Sequence, residues 1–384
     1  MKREPFVILT MIVKDEASII VRCLESAREW IDAVCVVDTG SSDHTVAEVE
    51  RWIAERSFLG AVHTRPWVDF GHNRTEALQL ARALALVPIR DVWALTLDAD
   101  ETIDAPDYGI GVAKQRKAML CDRDEVNLPR RQVGSEFTFW RPAFMRLALD
   151  WQCRGVLHEA WVCDAPVRRV ALSGPAISYR GDSARGTDAG KFTRDAALLF
   201  GELERNPRDT RTAFYLAQSL RDAGELERAR AAYRHRIDMG GWEEEVFYSR
   251  FQLGVIAERM GDTRGAVGDY IAAWSSRPNR LEPLIECSRM LRLAEAYPAA
   301  MAIADLAIAG DDSRSQIDTL FIDQSVTWRR FDELSISAFW CGKFVVSADA
   351  ATMALECDPP ENHRTRIEAN RDMARRKVRK DKAR

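Results

Sequence analysis

Residues Trp93 to Ile103 read Trp-Ala-Leu-Thr-Leu-Asp-Ala-Asp-Glu-Thr-Ile. The apolar run stops abruptly at two carboxylates, Asp98 and Asp100, with the small Ala99 between them. This is the pattern of a buried parallel strand, and open α/β sheets bind their ligands beyond the carboxyl ends of such strands. An acidic pair in that place suits Mg2+ or Mn2+, hard cations that take oxygen ligands and keep substrate phosphates in their shell. Standing alone, the same residues also fit a solvated acidic turn.

The flanking sequence repeats the pattern. Phe6 to Val13 is apolar and β-branched, and from Glu16 to Trp30 the spacing becomes helical, with Ile19, Ile20, Cys23, Leu24 and Ala27 on one face. Ala33 to Val37 reads as a second buried strand ending at Asp38. Thr39-Gly40-Ser41-Ser42-Asp43 then forms a turn whose Ser42 or Asp43 caps a helix starting near Thr45. Ala61 to Thr64 gives a third strand, Asn73 to Leu86 a third helix, and Val92 to Leu97 the fourth strand. Strands alternating with helices predict a parallel sheet with right-handed crossovers. Two strand ends, at Asp38 and Asp98, then carry acids into one crevice: Asp38 is suited to accept from a pyrimidine ring N–H, and the end at Asp98 to hold a metal under a diphosphate.

Composition narrows the class. A chain of 384 residues, 46% hydrophobic, is long enough for two or three domains with separate cores. A net charge of −4 argues against a surface that coats nucleic acid throughout. Eight cysteines without a Cys-x-x-Cys pair indicate neither a zinc site nor a disulfide framework, and reduced thiols predict a cytoplasmic protein. The longest apolar stretches fall far short of the ~20 residues that span a bilayer, so no transmembrane segment is expected. Lys2 and Arg3 precede a short strand-like run followed at once by Lys-Asp-Glu, which is not a signal peptide.

Four motifs taken together carry a resemblance. Thr10-Met11-Ile12-Val13-Lys14-Asp15-Glu16, then Val36-Val37-Asp38-Thr39-Gly40-Ser41-Ser42-Asp43-His44-Thr45, then Phe70-Gly71-His72-Asn73-Arg74 with Glu76-Ala77-Leu78, then Leu97-Asp98-Ala99-Asp100-Glu101 resemble the ordered series of family-2 glycosyltransferases. The resemblance implies the Rossmann-like GT-A fold, a nucleotide-diphosphate sugar donor with uridine favoured, Mn2+ or Mg2+, and inversion at the anomeric carbon. It places Asp38 at the nucleobase, Glu16 and the backbone near Val13 around the nucleoside, and Arg74 near the diphosphate. Asp98 touches ribose or metal, and Asp100 is the metal ligand proper. Gly40, Ser42 and Ala99 complete the donor contacts. Asp15 departs from the pattern, since many relatives carry Asn there.

Val126 to Leu128, Phe137 to Arg141 and Met145 to Leu147 read as short antiparallel strands with turns at Pro129 and Gly134. Trp151-Gln152-Cys153-Arg154-Gly155-Val156-Leu157-His158-Glu159 follows, and similar transferases bearing helical repeats place a His-Glu pair here. His158 is then a further metal ligand and Glu159 the general base that takes the acceptor's proton. A surface ion pair is the plainer reading, and Asp150, Asp164 and Asp182 are rival bases.

Beyond Lys191 the pattern is helical. Phe214-Tyr215-Leu216-Ala217, Phe251-Gln252-Leu253-Gly254 and Ile285-Glu286-Cys287-Ser288 superpose, and the turn positions Gly224, Gly261 and Glu295 are 37 and 34 residues apart. That is close to the ~34-residue tetratricopeptide (TPR) period. A degenerate pair around Phe331 to Leu355, with Gly342 in the turn, caps the stack. Trp242-Glu243-Glu244-Glu245 and Arg277 to Pro283 read mainly as structural connections between repeats, with an acceptor-binding role as the alternative. Boundaries follow at 1–187 for the transferase domain, 188–358 for the all-α TPR-like domain, and 359–384 for a basic helix or tail. Ten Lys or Arg residues from Arg364 to Arg384 make that tail a solvated helix, or a surface for DNA, anionic lipid or acidic protein.

The combination predicts a hexosyltransferase-type enzyme with a macromolecular acceptor, protein or peptide, alongside modified DNA or a glycan or lipid. Two other classes stay open. Leu97 to Thr102 also satisfies the Asp-x-Asp-x-Thr pattern of haloacid-dehalogenase-type phosphatases, with Asp98 as nucleophile, although Asp311-Asp312 falls among helices rather than at a strand end. A non-catalytic repeat scaffold is the other, and the intact acids at 38, 98 and 100 speak against it.

Overall fold

The computed structural model describes residues 4–104, 111–313 and 319–382. The chain divides into two compact units, Met1–Arg205 and Asn206–Arg384.

In the first unit the apolar runs form β1 (Phe6–Val13), β2 (Ala33–Asp38), β3 (Leu59–Thr64) and β4 (Val92–Thr96). β1 pairs in parallel with β2 and β4, and β2 with β3. Helices α1 (Ile20–Ala27), α2 (Thr45–Glu55) and α3 (Phe70–Ala81) lie between the strands in sequence. Both faces of β1 are covered, which is why all of it but Thr10 is apolar: Val7, Leu9 and Met11 join Leu24, Trp30 and Trp52, while Ile8 meets Cys35, Leu78 and Ala94 on the other face. The chain winds outward from β1 to β3 and then returns to place β4 on β1's other side. That reversal opens a crevice at the carboxyl ends of β1 and β4.

Next come β5 (Glu101–Asp104), α4 (Val112–Leu120), β6 (Glu125–Gln132), β7 (Phe137–Arg146), β8 (Gln152–Arg154), β9 (Ala160–Val162), β10 (Arg169–Ala171), β11 (Ala176–Tyr179) and α5 (Lys191–Arg205). β7 runs antiparallel to β4 and extends the sheet to the order β3-β2-β1-β4-β7-β6-β11-β5, while β8 and β9 form a separate hairpin.

Several expected boundaries move, each for a local reason. The helix expected from Glu16 begins at Ile20, because Asp15 takes a positive φ of 56° and the Glu16 N–H is drawn to Thr45 Oγ1 at 2.7 Å. It ends in a 3-10 turn at Arg28–Trp30. Helix α3 starts three residues earlier than expected, since Asp69 caps it by accepting from the His72 N–H at 2.7 Å, and it stops at Ala81 before a 3-10 turn. Asp43 stands one residue outside the N-cap of α2 and accepts from the Thr45 N–H at 2.9 Å.

The strands expected at Phe137 to Arg141 and Met145 to Leu147 are one strand, β7, whose Ala143 is skipped where the register against Val126 and Asn127 shifts. Pro129 lies inside β6 rather than in a turn. It is tolerated because β10 covers only Glu125 to Asn127 and β11 only Arg130 to Gln132, so Pro129 faces a gap where no ladder N–H is required.

The second unit is built of helical hairpins: α6 (Thr210–Asp222) with α7 (Leu226–Asp238), α8 (Glu243–Arg259) with α9 (Thr263–Ser276), α10 (Glu282–Leu293) with α11 (Tyr297–Ala309), and α12 (Val326–Trp340) with α13 (Phe344–Glu356). Gly224, Gly261 and Gly342 take positive φ at the turns, and Glu295 occupies the equivalent left-handed position at φ 57°. A Cβ on Gly254 would lie 2.6 Å from the Tyr270 ring, which shows how closely α8 and α9 approach. The inter-repeat segments are structural, as expected: fully buried Glu244 pairs with Arg277 and Arg280, and Glu245 with Arg236 at 2.8 Å. The basic segment forms α14 (Glu361–Lys382), which packs on α13 and buries Ile367 and Ala374; Arg384 lies outside the described residues.

Candidate active site

The first wall of the crevice is made by the segments that follow β1 and β2, which bond to each other. The Val13 carbonyl accepts from Thr39, backbone N–H at 2.9 Å and hydroxyl at 3.0 Å. Buried Asp38 turns its carboxylate into its own loop and accepts from the N–H groups of Gly40 and Ser41 at 3.2 and 3.1 Å. Gly40 supplies the φ of 104° that this turn needs. Asp15, the departure from the motif, accepts from the Ser42 N–H at 2.6 Å and the Ser42 hydroxyl at 3.0 Å. An Asn carbonyl oxygen could accept the same two bonds, and Asn and Asp both tolerate the left-handed backbone found here, so the loop geometry survives the exchange.

The second element is the end of β4. The Asp98 N–H donates to Glu101 Oε2 at 2.9 Å, and Glu101 is in turn paired with buried Arg130. Burial works to raise the Asp98 carboxyl, but Arg74, Arg141 and Arg130 outweigh it and hold it low. Asp100 behaves oppositely: burial first, then the charges of Asp98 and Glu101, push it up to about 6. Glu16 lies in the same field. Burial, with Asp100, Asp43 and Asp98, pushes it up to about 7 against the opposing hydrogen bond from the Ala184 N–H at 3.3 Å. Buried Ala99 keeps the segment between the acids apolar.

The third element is α3 with the β8–β9 hairpin. Thr75 Oγ1 accepts from the Cys153 N–H at 2.9 Å, and a Cβ on Gly71 would sit 2.7 Å from the Cys153 carbonyl and 2.9 Å from that of Gly155. That approach brings Arg74 between two carboxylates, Asp98 Oδ1 at 2.6 Å from its Nη2 and Glu159 Oε1 at 2.7 Å from its Nε. Burial alone would raise the Glu159 carboxyl; Arg74 and Arg141 reverse that and lower it. Of the rival bases, Asp150 and Asp164 are exposed, and Asp182 is held by Arg22 through two bonds of 2.8 Å.

His158 is exposed at φ 52°, and the described residues contain no group of three or more His, Cys, Asp or Glu side chains arranged to hold a metal, so Asp98, Asp100 and His158 do not form one here. The oxygens of Asp98 and Asp100 are still the right chemistry for Mg2+ or Mn2+, which takes one or two carboxylates and completes its shell with phosphate and water.

Sequence reasoning missed the crevice wall. Arg130, Arg141 and Trp161 line, with Arg74, Asp98 and Glu101, one crevice. Nothing distinguishes Arg130 and Arg141 from other arginines in an alternating strand; only the pairing of β6, β7 and β4 brings them beside Asp98.

Residues 9–158 match the model of Glycosyl transferase family 2, and this stretch of the chain is a domain of that family. Over 94 residues the chain is 37% identical to an uncharacterized glycosyltransferase of Rickettsia felis, which covers 24% of this chain and 28% of that protein. A TPR repeat-containing protein of Synechococcus elongatus is 26% identical over 318 residues, 76% of this chain and 73% of its own. Among solved structures MamA is similar at a TM-score of 0.36 and 14% identity, covering 44% of this chain and 90% of that one, and the TPR protein YrrB at 0.35 and 11%, covering 47% and 84%. These scores are too low to bear on the assignment.

Proposed function

We propose that the protein is an inverting, metal-dependent glycosyltransferase that moves a hexose from a UDP-sugar to a nucleophile on a protein or peptide in the cytoplasm. The observation that carries this is the delivery of Asp98 and Asp100 to the reversal point of a parallel sheet, with Asp38 at the end of the strand on β1's other side. In this reading the segments after β1, with Val13 and Glu16, and at the end of β2, with Asp38, Gly40 and Ser42, hold the nucleoside. The carboxylates of Asp98 and Asp100 would hold Mn2+ or Mg2+, which as a Lewis acid offsets charge on the leaving diphosphate when bound. Glu159 is the base. Arg74 keeps it ionised and oriented, so at neutral pH it stands ready to take the acceptor's proton as the nucleophile attacks the anomeric carbon from the face opposite the diphosphate. The helical repeats offer a stacked surface suited to a macromolecular partner, which supports a protein or peptide acceptor. A DNA acceptor drawn by the basic face of α14 would show binding that weakens steeply with salt.

The test is nucleotide release from UDP-, GDP- and TDP-sugars with and without Mn2+, beside Asp100→Ala. Metal-dependent release of one nucleotide, lost in the folded variant, is expected. Full turnover by Asp100→Ala would remove the site assignment, and phosphate release from simple monoesters would favour the phosphatase class.

A further inference from the structure

We propose that Arg141, rather than Arg74, is the guanidinium that receives the donor's diphosphate; the inference rests on the nucleotide-sugar reading above. Arg74 is flanked by two carboxylates, hydrogen-bonded to Asp98 through Nη2 at 2.6 Å and ion-paired with Glu159 at 2.7 Å from Nε, and its side chain is only 12% exposed. A phosphate drawn to Arg74 would have to compete with two carboxylates already beside it, one of them only 8% exposed. Arg130 is committed as well, to Glu101 and, at 3.3 Å, to the Thr96 carbonyl.

Arg141 differs from both. It lines the same crevice, yet its guanidinium makes no hydrogen bond or ion pair with a described residue. The carboxylates of Glu159, Asp98 and Glu101 act on it through space only. A half-buried guanidinium in that state holds its donors in a fork that matches phosphate oxygens.

Its place is set by backbone. The register shift that skips Ala143 lies just beyond Arg141 on β7, and such irregularities re-aim neighbouring side chains. The Thr96 hydroxyl donates to the Pro142 carbonyl at 3.4 Å, which ties that part of β7 to the end of β4, two residues before Asp98. The lining carboxylates Asp98, Glu101 and Glu159 are already held by Arg74 and Arg130. An incoming diphosphate therefore finds in Arg141 a cation that need not first release a partner.

The experiment uses the whole protein as wild type, Arg141→Met and Arg141→Lys. Calorimetry with Mn2+ and UDP, GDP or TDP identifies the diphosphate that the wild type binds, and saturation-transfer NMR follows the matching free nucleoside. Arg141→Met should weaken the diphosphate roughly 10- to 100-fold, the range for a charge-assisted contact, and leave the nucleoside within about threefold; Arg141→Lys should recover part of the loss. Unchanged diphosphate affinity in Arg141→Met overturns the inference and leaves the donor reading standing. Equal weakening of diphosphate and nucleoside also overturns it, because the residue would then only support the fold. A wild type that binds none of the three diphosphates removes the donor reading and this inference together.

Discussion

Arg74 Nε lies 2.7 Å from Glu159 Oε1, and this contact joins helix α3 to the turn before β9. The same guanidinium reaches Asp98, so one side chain ties together the candidate base and the acidic strand end. Removing it leaves two carboxylates without their cation. Arg74→Met should cost about 3–5 kcal/mol of stability, the range for breaking a buried ion pair, while adding Glu159→Leu should restore part of that loss. Urea midpoints of the single and double variants measure both. Additive losses with no recovery would show that the pair is not coupled.

Glu16 makes stability depend on pH. Its folded carboxyl titrates near about 7, against 4.5 when unperturbed, so the folded state holds that proton more tightly than the unfolded chain does. The associated stability is fully present below the unfolded value and is lost as pH rises through about 7. Glu16→Gln should therefore raise stability at pH 8 by about 1–2 kcal/mol, after allowance for solvent screening, with no gain near pH 4. Thermal melts at the two pH values decide it; an equal gain at both would mean that the charge is not the cause.

Gly71 reverses the usual helix rule. Inside a helix Gly→Ala ordinarily gains up to about 1 kcal/mol. Here the new methyl meets two backbone carbonyls that cannot swing away, at 2.7 and 2.9 Å, so Gly71→Ala should lose about 1–3 kcal/mol and move Arg74 off Glu159. A variant as stable as wild type would show that α3 and β8 have room to part.

Asp15 offers a neutral control. Asp15→Asn should change stability by less than about 0.5 kcal/mol, because Asn keeps the left-handed backbone and the acceptor for Ser42. Asp15→Val, β-branched at a φ of 56°, should cost about 2 kcal/mol, read from the same melts.

What could be read from the chain by itself was whatever local pattern determines. β1 and β2 need residues buried on both faces, so their apolar runs and the acids ending β2 and β4 stand out in the sequence; α6 to α13 need small residues and left-handed turns at a fixed period, so the repeats do too. The donor-side motifs are short loops whose chemistry lies within a few residues. What only the tertiary structure decided are relationships between segments far apart in the chain. Pro129 sits in a strand because β10 and β11 leave a gap beside it. Arg74 is occupied because Gly71 lets the β8–β9 hairpin come close, and Arg141 is open because Arg74 and Arg130 have already taken the carboxylates around it. A charged side chain in an alternating strand carries no mark of which partner it will meet, since that is set by strand order and register, and both are properties of the assembled sheet.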